Sequence, residues 1–142
     1  MNHVDLFNEI AMLELNRRYN VNRGGCARFA KMMKEKHTPD LRIVYLDWDA
    51  EGISNGRVKA CSHAVLTDDD YYYDANGVHL KQDMIDEYGE CVTVDVSYVN
   101  KSLKNPWDWN DDFNRRHMGT ITRQVNKVVK QLRAYKAAAQ NQ

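Results

Sequence analysis

The chain has 142 residues, of which 43% are hydrophobic and 28% are charged. This is the composition of a folded globular protein, and it excludes a disordered or collagen-like chain. The length predicts one domain, spanning residues 1–142, with a core large enough to fold without disulfides. Twenty Lys and Arg residues balance twenty Asp and Glu residues, which argues against a strongly basic nucleic-acid-binding protein.

Charge is distributed unevenly along the chain. Residues 114–142 carry seven Lys or Arg and no Asp or Glu, whereas residues 1–113 carry 13 basic and 20 acidic side chains. A basic tail of this kind can pair with the acidic body of its own chain or with an acidic partner, and we expect the internal pairing.

Sequence features also predict the compartment. No apolar run approaches the roughly 18 residues of a membrane span, and the N-terminal residues lack the basic start and apolar block of a signal peptide. The three cysteines are an odd number without a CxxC pair. We therefore expect free thiols in a reducing, cytoplasmic compartment and no association with a membrane.

Hydrophobic spacing predicts the elements in chain order. Apolar residues recur with helical spacing over 4–19 and 26–37, on either side of a polar segment. Alternating apolar and polar residues predict strands. Between the strands we expect a loop at 49–56 and a short helix at 79–88, and after them a Trp-bearing loop at 105–110. The predicted strands cover residues 41–48, 57–67, 70–74 and 91–96.

The last element is a basic helix over about residues 112–139, with an apolar stripe along it and Gly119 as a possible interruption. Helices come first, then a run of strands, then a helix. This order predicts an α+β fold with an antiparallel sheet rather than a doubly wound parallel one.

A cysteine at the start of the second helix is the first candidate for chemistry. Gly24 and Gly25 precede Cys26, where that helix begins. The N–H groups and partial positive charge of a helix N-terminus favour a thiolate, and the glycines permit close approach of a second chain. A small buried thiol at the head of a core helix is the alternative.

A hairpin supplies a histidine and a carboxylate. His63 lies on a strand, and an aspartate turn leads to a second strand that ends at Asp74. If Asp68 and Asp69 form a two-residue turn, register counting places Asp74 directly opposite His63. A three-residue loop would instead place Ala75 opposite His63. The alternative is a His and an Asp on a solvated sheet face.

These three parts together resemble the papain-like cysteine hydrolases, including bacterial cell-wall amidases and transglutaminase-like folds. The resemblance covers about residues 20–77 and rests on three segments. They are Gly-Gly-Cys-Ala-Arg-Phe-Ala at the helix start, His63-Ala-Val-Leu on a strand, and Tyr-Asp74-Ala-Asn-Gly after the acidic turn.

The resemblance implies a fold and a set of roles. Helices would pack on a small antiparallel sheet, with the active site at their junction. Cys26 would be the nucleophile, His63 the general base and then acid, and Asp74 the orienting group. Such enzymes often place a side-chain amide six residues before the nucleophile to stabilise the oxyanion. Here that residue is Asn20, and Asn22 is the alternative.

The expected reaction is acyl transfer through a thioester, without a cofactor or a metal. Water as acceptor makes the protein a peptidase or amidase acting on an amide or isopeptide bond, and an amine makes it a transglutaminase-like acyltransferase. The substrate would be a peptide or protein, with Gly24, Gly25, Trp107 and Trp109 as candidate lining of its groove. The small size is compatible with a phage or mobile-element origin.

Three other interpretations remain open. Cys61 and His63 share a strand face and could be joined by Cys26 in a zinc site, although a second close ligand pair is missing. The basic C-terminal helix could bind nucleic acid, which its apolar stripe disfavours, or could form a homodimer. A papain-like shell without catalysis could serve as an interaction module through that helix.

Overall fold

The chain adopts an α+β fold in which helices pack on an antiparallel sheet, as predicted. The computed structural model describes residues 2–104 and 110–140. The helices are α1 (His3–Ala11), α2 (Leu15–Tyr19), α3 (Cys26–Lys36), α4 (Ala50–Ser54), α5 (Lys81–Tyr88), α6 (Val96–Leu103), α7 (Asn110–Phe113) and α8 (Gly119–Gln140). A π-helical turn, Asn114–Met118, joins α7 to α8. The strands are β1 (Arg42–Asp47), β2 (His63–Thr67), β3 (Tyr72–Asp74), β4 (Gly77–His79) and β5 (Glu90–Val94).

The five strands form one sheet in the order β4-β3-β2-β1-β5, and every neighbouring pair is antiparallel. Successive side chains of β1 point to opposite faces. Ile43 and Tyr45 enter the main core, whereas Val44 and Leu46 enter a smaller cluster that includes residues of α5. The central strands are therefore buried on both faces.

The main core lies between the sheet and four helices, α1, α3, α6 and α8. Its helical members include Phe7 and Ile10 of α1, Phe29 and Met33 of α3, Val99 of α6, and Ile121, Val125 and Val129 of α8. The apolar stripes predicted for the first, second and last helices pack into this core. Because α3 packs on this face of the sheet, its first residue is brought against the start of β2.

Several element boundaries differ from the prediction. The first helix ends at Ala11, and α2 begins after Glu14, which adopts a left-handed backbone conformation with φ +54°. Residues 50–54 form a helix rather than a loop, and β2 begins only at His63. Strand β4 and helix α6 are additional, and Asp95 caps α6 by accepting a hydrogen bond from the Tyr98 N–H at 2.7 Å.

The C-terminal helix runs over residues 110–140 with a π-helical turn before Gly119. Phe113 and Met118 are five positions apart in the sequence, and both are buried, a spacing that the wider π-helical turn accommodates. The end of the stripe leaves the core, since Tyr135 is 76% exposed; a homodimer through this helix stays a prediction. No helix among the described residues has the length and apolar character needed to cross a membrane.

Candidate active site

The two glycines before Cys26 serve different purposes. Gly24 has φ +116°, a conformation that favours glycine, and it lines the cavity beside Cys26. Gly25 is buried, and a Cβ built on it would lie 2.3 Å from Cζ of Phe113. Gly25 therefore permits close packing of the C-terminal helix, and not the close approach of a second chain that the sequence suggests.

The hairpin that carries His63 has a longer turn than predicted. Thr67 pairs with Tyr72, so residues 68–71 form a four-residue turn and the predicted direct pairing of His63 with Asp74 is wrong. The pairing of β2 with β3 is therefore shifted by two residues from the predicted register. Since side chains alternate with a period of two, Asp74 still lies on the same sheet face as His63, diagonal to it.

Turn chemistry explains the longer loop. The Asp68 carboxylate accepts hydrogen bonds from the N–H groups of Asp70 and Tyr71 at 3.0 and 3.1 Å, which closes the turn on itself. Asp69 adopts φ +77° and pairs with Arg42 through two hydrogen bonds of 2.8 and 2.6 Å. The three consecutive aspartates, residues 68–70, therefore form part of the turn, as predicted.

Asp74 is the buried anion of the site. Its Oδ2 lies 2.8 Å from Nε2 of His63, and its Oδ1 lies 2.7 Å from Nε2 of His79 and accepts the Asn76 N–H at 2.8 Å. The carboxylate is 3% exposed. Burial alone would raise the pKa of Asp74, but the hydrogen bonds from the two histidines lower it to about 2.

His63 is held by Asp74 on one side and by an aromatic ring on its face. The imidazole is fully buried and stacks on Tyr88, at the end of α5, with ring centroids 4.4 Å apart. Burial alone would lower the pKa of His63, but the hydrogen bond to Asp74 and the neighbouring negative charges of Cys26 and Asp74 raise it to about 9. Nδ1 is buried without a hydrogen-bond partner among the described residues.

The sulfur of Cys26 is surrounded by groups that favour its negative form. The neighbouring Cys61 thiol lowers the pKa of Cys26 most, burial opposes this, and His63 and the Ala64 backbone lower the pKa further. The result is a pKa well below the usual range of a thiol. The raised pKa of His63 and the lowered pKa of Cys26 both favour a thiolate–imidazolium pair at neutral pH.

A buried carboxylate positions the segment that leads into β2. Asp47 accepts hydrogen bonds from the N–H and Oγ of Ser62 at 3.2 and 3.0 Å, and its Oδ2 lies 2.7 Å from Nζ of Lys59. Burial alone would raise the pKa of Asp47, but these partners lower it. This anchoring explains why Cys61 is held beside Cys26.

A cavity of about 60 Å³ opens beside the Cys26 sulfur. Its lining comprises Asn22, Gly24, Cys26, Ala27, Tyr45, Ala60, Cys61, Ser62, Ser102 and Leu103. The far wall is fixed by a hydrogen bond of 2.6 Å between the Tyr45 and Ser102 hydroxyls. Since about 10–15 Å³ of such space is enough for one water molecule, the cavity has room for a small chemical group beside Cys26.

The two candidate oxyanion donors are placed differently. Asn22 lines the cavity, its N–H is held by Oδ1 of Asn16 at 2.8 Å, and its own Oδ1 is buried with no hydrogen-bond partner among the described residues. Asn20 is exposed and ends α2 in a left-handed conformation with φ +56°. The geometry favours Asn22. Trp107 and Trp109, predicted as groove residues, lie outside the described residues.

Two residues of the site, His79 and Tyr88, are not predicted by the sequence pattern. The Asn76-Gly77 turn signal indicates a hairpin near His79, and the observed turn at Ala75 and Asn76 pairs His79 with Tyr72, which puts His79 on the face of Asp74. Tyr88 reaches His63 only through the packing of α5, for which the sequence has no local pattern.

The sequence leaves open a zinc site formed by Cys26, Cys61 and His63. Across residues 2–104 and 110–140, no group of three or more His, Cys, Asp or Glu side chains is arranged to hold a metal ion.

Comparison with known proteins identifies a family. Residues 4–123 match the family model described as phage YunG-like protein, in agreement with the expected phage or mobile-element origin. None of the curated proteins and none of the solved structures compared with the chain matches it. Because the matched residues make up most of its length, the chain belongs to the phage YunG-like family.

Proposed function

We propose that this protein is a papain-like cysteine hydrolase that cleaves an amide or isopeptide bond with Cys26, His63 and Asp74 as its triad. The observation that carries the proposal is the buried His63–Asp74 pair, 2.8 Å apart, in contact with a cysteine at the N-terminus of α3. A nucleophile, a base and an orienting group are then in the order that acyl transfer needs.

The reaction would begin with attack of the Cys26 thiolate on the carbonyl carbon of the substrate. Nε2 of His63 is hydrogen-bonded to Asp74. The other ring nitrogen, Nδ1, would therefore donate its proton to the leaving amine. Nδ1 would then take a proton from the attacking water, which resolves the thioester and releases Cys26. The Cys26 N–H and the Asn22 amide would stabilise the oxyanion of both tetrahedral intermediates.

The cavity beside Cys26 limits the substrate. Its small volume, about 60 Å³, favours a small side chain next to the scissile carbonyl. We therefore expect peptides with a Gly, Ala or Ser acyl residue to be cleaved, and peptides with Leu or Phe there to be poor substrates.

Alkylation tests the nucleophile without a known substrate. The rate of labelling by iodoacetamide is measured for each cysteine as a function of pH, by mass spectrometry, in the wild type and in His63→Ala. We expect fast labelling of Cys26 at about pH 6, lost in His63→Ala, with exposed Cys91 as the internal reference. Labelling of Cys26 that rises only near pH 8.5, the pKa of an ordinary thiol, would overturn the proposal.

Substrate class is tested with peptide esters and amides that differ only in the acyl residue, in water and with an added primary amine. Hydrolysis of the Gly and Ala compounds, absent in Cys26→Ala, is the expected result. Trapping of the acyl group mainly by the amine would identify an acyltransferase instead. No turnover of any compound by a protein whose Cys26 is activated would contradict the proposed substrate class.

A further inference from the structure

A second thiol lies beside the proposed nucleophile and has no step in the proposed hydrolysis. Cys61 and Cys26 line the same cavity of about 60 Å³, and each side chain shifts the pKa of the other. The third cysteine, Cys91, is exposed on β5. Two thiols in contact, one of them ionised, form the arrangement in which an oxidised sulfur can be captured within the same chain.

The backbone around Cys61 permits the necessary movement. Cys61 lies in the irregular segment between α4 and β2, not in a strand. Lys59 and Ser62 on either side are anchored to Asp47, so the segment stays close to Cys26. Because Cys61 lies outside the strands, a shift of this segment that joins the two sulfur atoms need not break a pair of the sheet.

We propose that Cys26 and Cys61 form a reversible disulfide when the protein meets a peroxide, and that this bond switches the nucleophile off. The inference uses the activated Cys26 of the proposed function, although it does not depend on the substrate. Cys61 acts in it as the resolving thiol, which protects Cys26 from irreversible oxidation.

The chemistry balances in two steps. The Cys26 thiolate attacks one oxygen of hydrogen peroxide, the O–O bond breaks, and the departing hydroxide takes a proton to become water. The Cys61 sulfur then attacks the Cys26 sulfenic sulfur, the S–O bond breaks, and the hydroxide leaves with the Cys61 proton as a second water. Peroxide gains the two electrons that the two sulfur atoms lose, and a dithiol reductant reverses the change.

Oxidation itself prepares Cys61 for the second step. In the reduced protein, the neighbouring Cys26 thiolate and burial raise the pKa of Cys61 well above the usual range. Cys61 is therefore a neutral thiol and does not compete for peroxide. Once Cys26 becomes an uncharged sulfenic acid, the negative charge beside Cys61 is gone and its proton is lost more easily.

The test treats Cys91→Ser protein with stoichiometric hydrogen peroxide at pH 7, followed by peptide mapping without reductant. We expect one cross-linked peptide that contains Cys26 and Cys61, loss of iodoacetamide labelling at Cys26, and full recovery with dithiothreitol. Accumulation of Cys26 sulfenic or sulfinic acid without a cross-link, or no oxidation of Cys26 at all, would overturn the inference.

Cys61→Ser in the same Cys91→Ser background is the matched control, because serine keeps a hydrogen-bond donor beside Cys26. We expect dimedone to trap Cys26 as a sulfenic acid in this variant, and irreversible sulfinic acid to accumulate about tenfold faster or more. Equal rates with and without Cys61 would contradict a resolving role. A disulfide in a protein that hydrolyses nothing would count against the proposed function alone, and hydrolysis without a disulfide would count against this inference alone.

Discussion

His63 and Asp74 meet diagonally across β2 and β3, with Nε2 and Oδ2 2.8 Å apart. Both side chains are buried, and the second oxygen of Asp74 is held by His79 and by the Asn76 N–H. The carboxylate therefore has one orientation toward His63. A charge fixed in a buried site acts on its neighbour with little screening by water, which makes the ionisation of His63 the property that reports on this pair.

Replacement of Asp74 by Asn tests that relationship. Asp74→Asn keeps an oxygen that can accept from Nε2 but removes the negative charge that raises the pKa of His63. We expect the pKa of His63 to fall from about 9 by about one to three pH units, measured from the imidazole proton shifts by NMR. Asp70→Asn, an exposed aspartate of the same hairpin, is the control. An unchanged His63 pKa in Asp74→Asn would mean that the carboxylate has no electrostatic role.

Much of the fold follows from patterns that act over short distances. Helical spacing predicts α1 and α3, and alternation predicts β1 and β5, because each of these elements buries one face against the same core. The loop before β2 is different. Its residues alternate like a strand, but Lys59 and Ser62 are engaged by Asp47, a contact between distant parts of the chain that no local pattern reveals.

The candidate site shows the same division. The sequence predicts that His63 and Asp74 share a sheet face. That prediction holds although the register is wrong by two residues, because side chains on the same face of a strand are two residues apart. The register itself depends on how the Asp68 carboxylate folds the turn, and a two-residue loop is only one of the turns that an aspartate run can form. Tyr88 and Cys61 enter the site through packing, and sequence spacing alone does not predict that.

Substitution distinguishes the two candidate oxyanion donors, Asn22 and Asn20. Asn22→Ala removes the amide that lines the cavity, and we expect turnover of an activated Gly ester to fall by about 10²–10³-fold, with alkylation of Cys26 unchanged. Asn20→Gly is the matched control because glycine tolerates the left-handed conformation of that residue. Steady-state kinetics of both variants decide the matter, and a large loss in Asn20→Gly with none in Asn22→Ala would reverse the assignment.

The contact between Gly25 and Phe113 predicts a cost in stability. Gly25→Ala places a methyl group 2.3 Å from the Phe113 ring, and we expect the free energy of unfolding to fall by about 1–3 kcal/mol, as in other overpacked cores. Urea unfolding measures it. The double variant with Phe113→Leu should recover part of the loss. Gly119→Ala is the control: its added Cβ meets only the end of the Arg123 side chain, at 3.5 Å, and the change should be neutral or stabilising.

The thiolate–imidazolium pair predicts an unusual dependence of stability on pH. His63 has a folded pKa raised above its unfolded value, so its contribution is complete below about pH 6.5 and is lost as the pH rises toward 9. Cys26 has a lowered folded pKa, so its contribution is present above about pH 8.5 and is lost as the pH falls. Between pH 6.5 and 8.5 each state of the wild type holds one proton on the two groups, and their contributions to the slope cancel.

Cys26→Ala removes this cancellation. Asp74 still raises the pKa of His63 in this variant, so folded His63 holds a proton that the unfolded chain lacks, and stability should fall as the pH rises through this window. The slope is at most about 1.4 kcal/mol per pH unit, read from urea unfolding between pH 6.5 and 8.5. In His63→Ala, Cys26 loses the imidazolium that stabilises its thiolate, so the curve should lie closer to that of the wild type. Parallel curves for the wild type and Cys26→Ala would mean that Asp74 does not keep His63 protonated in the folded protein.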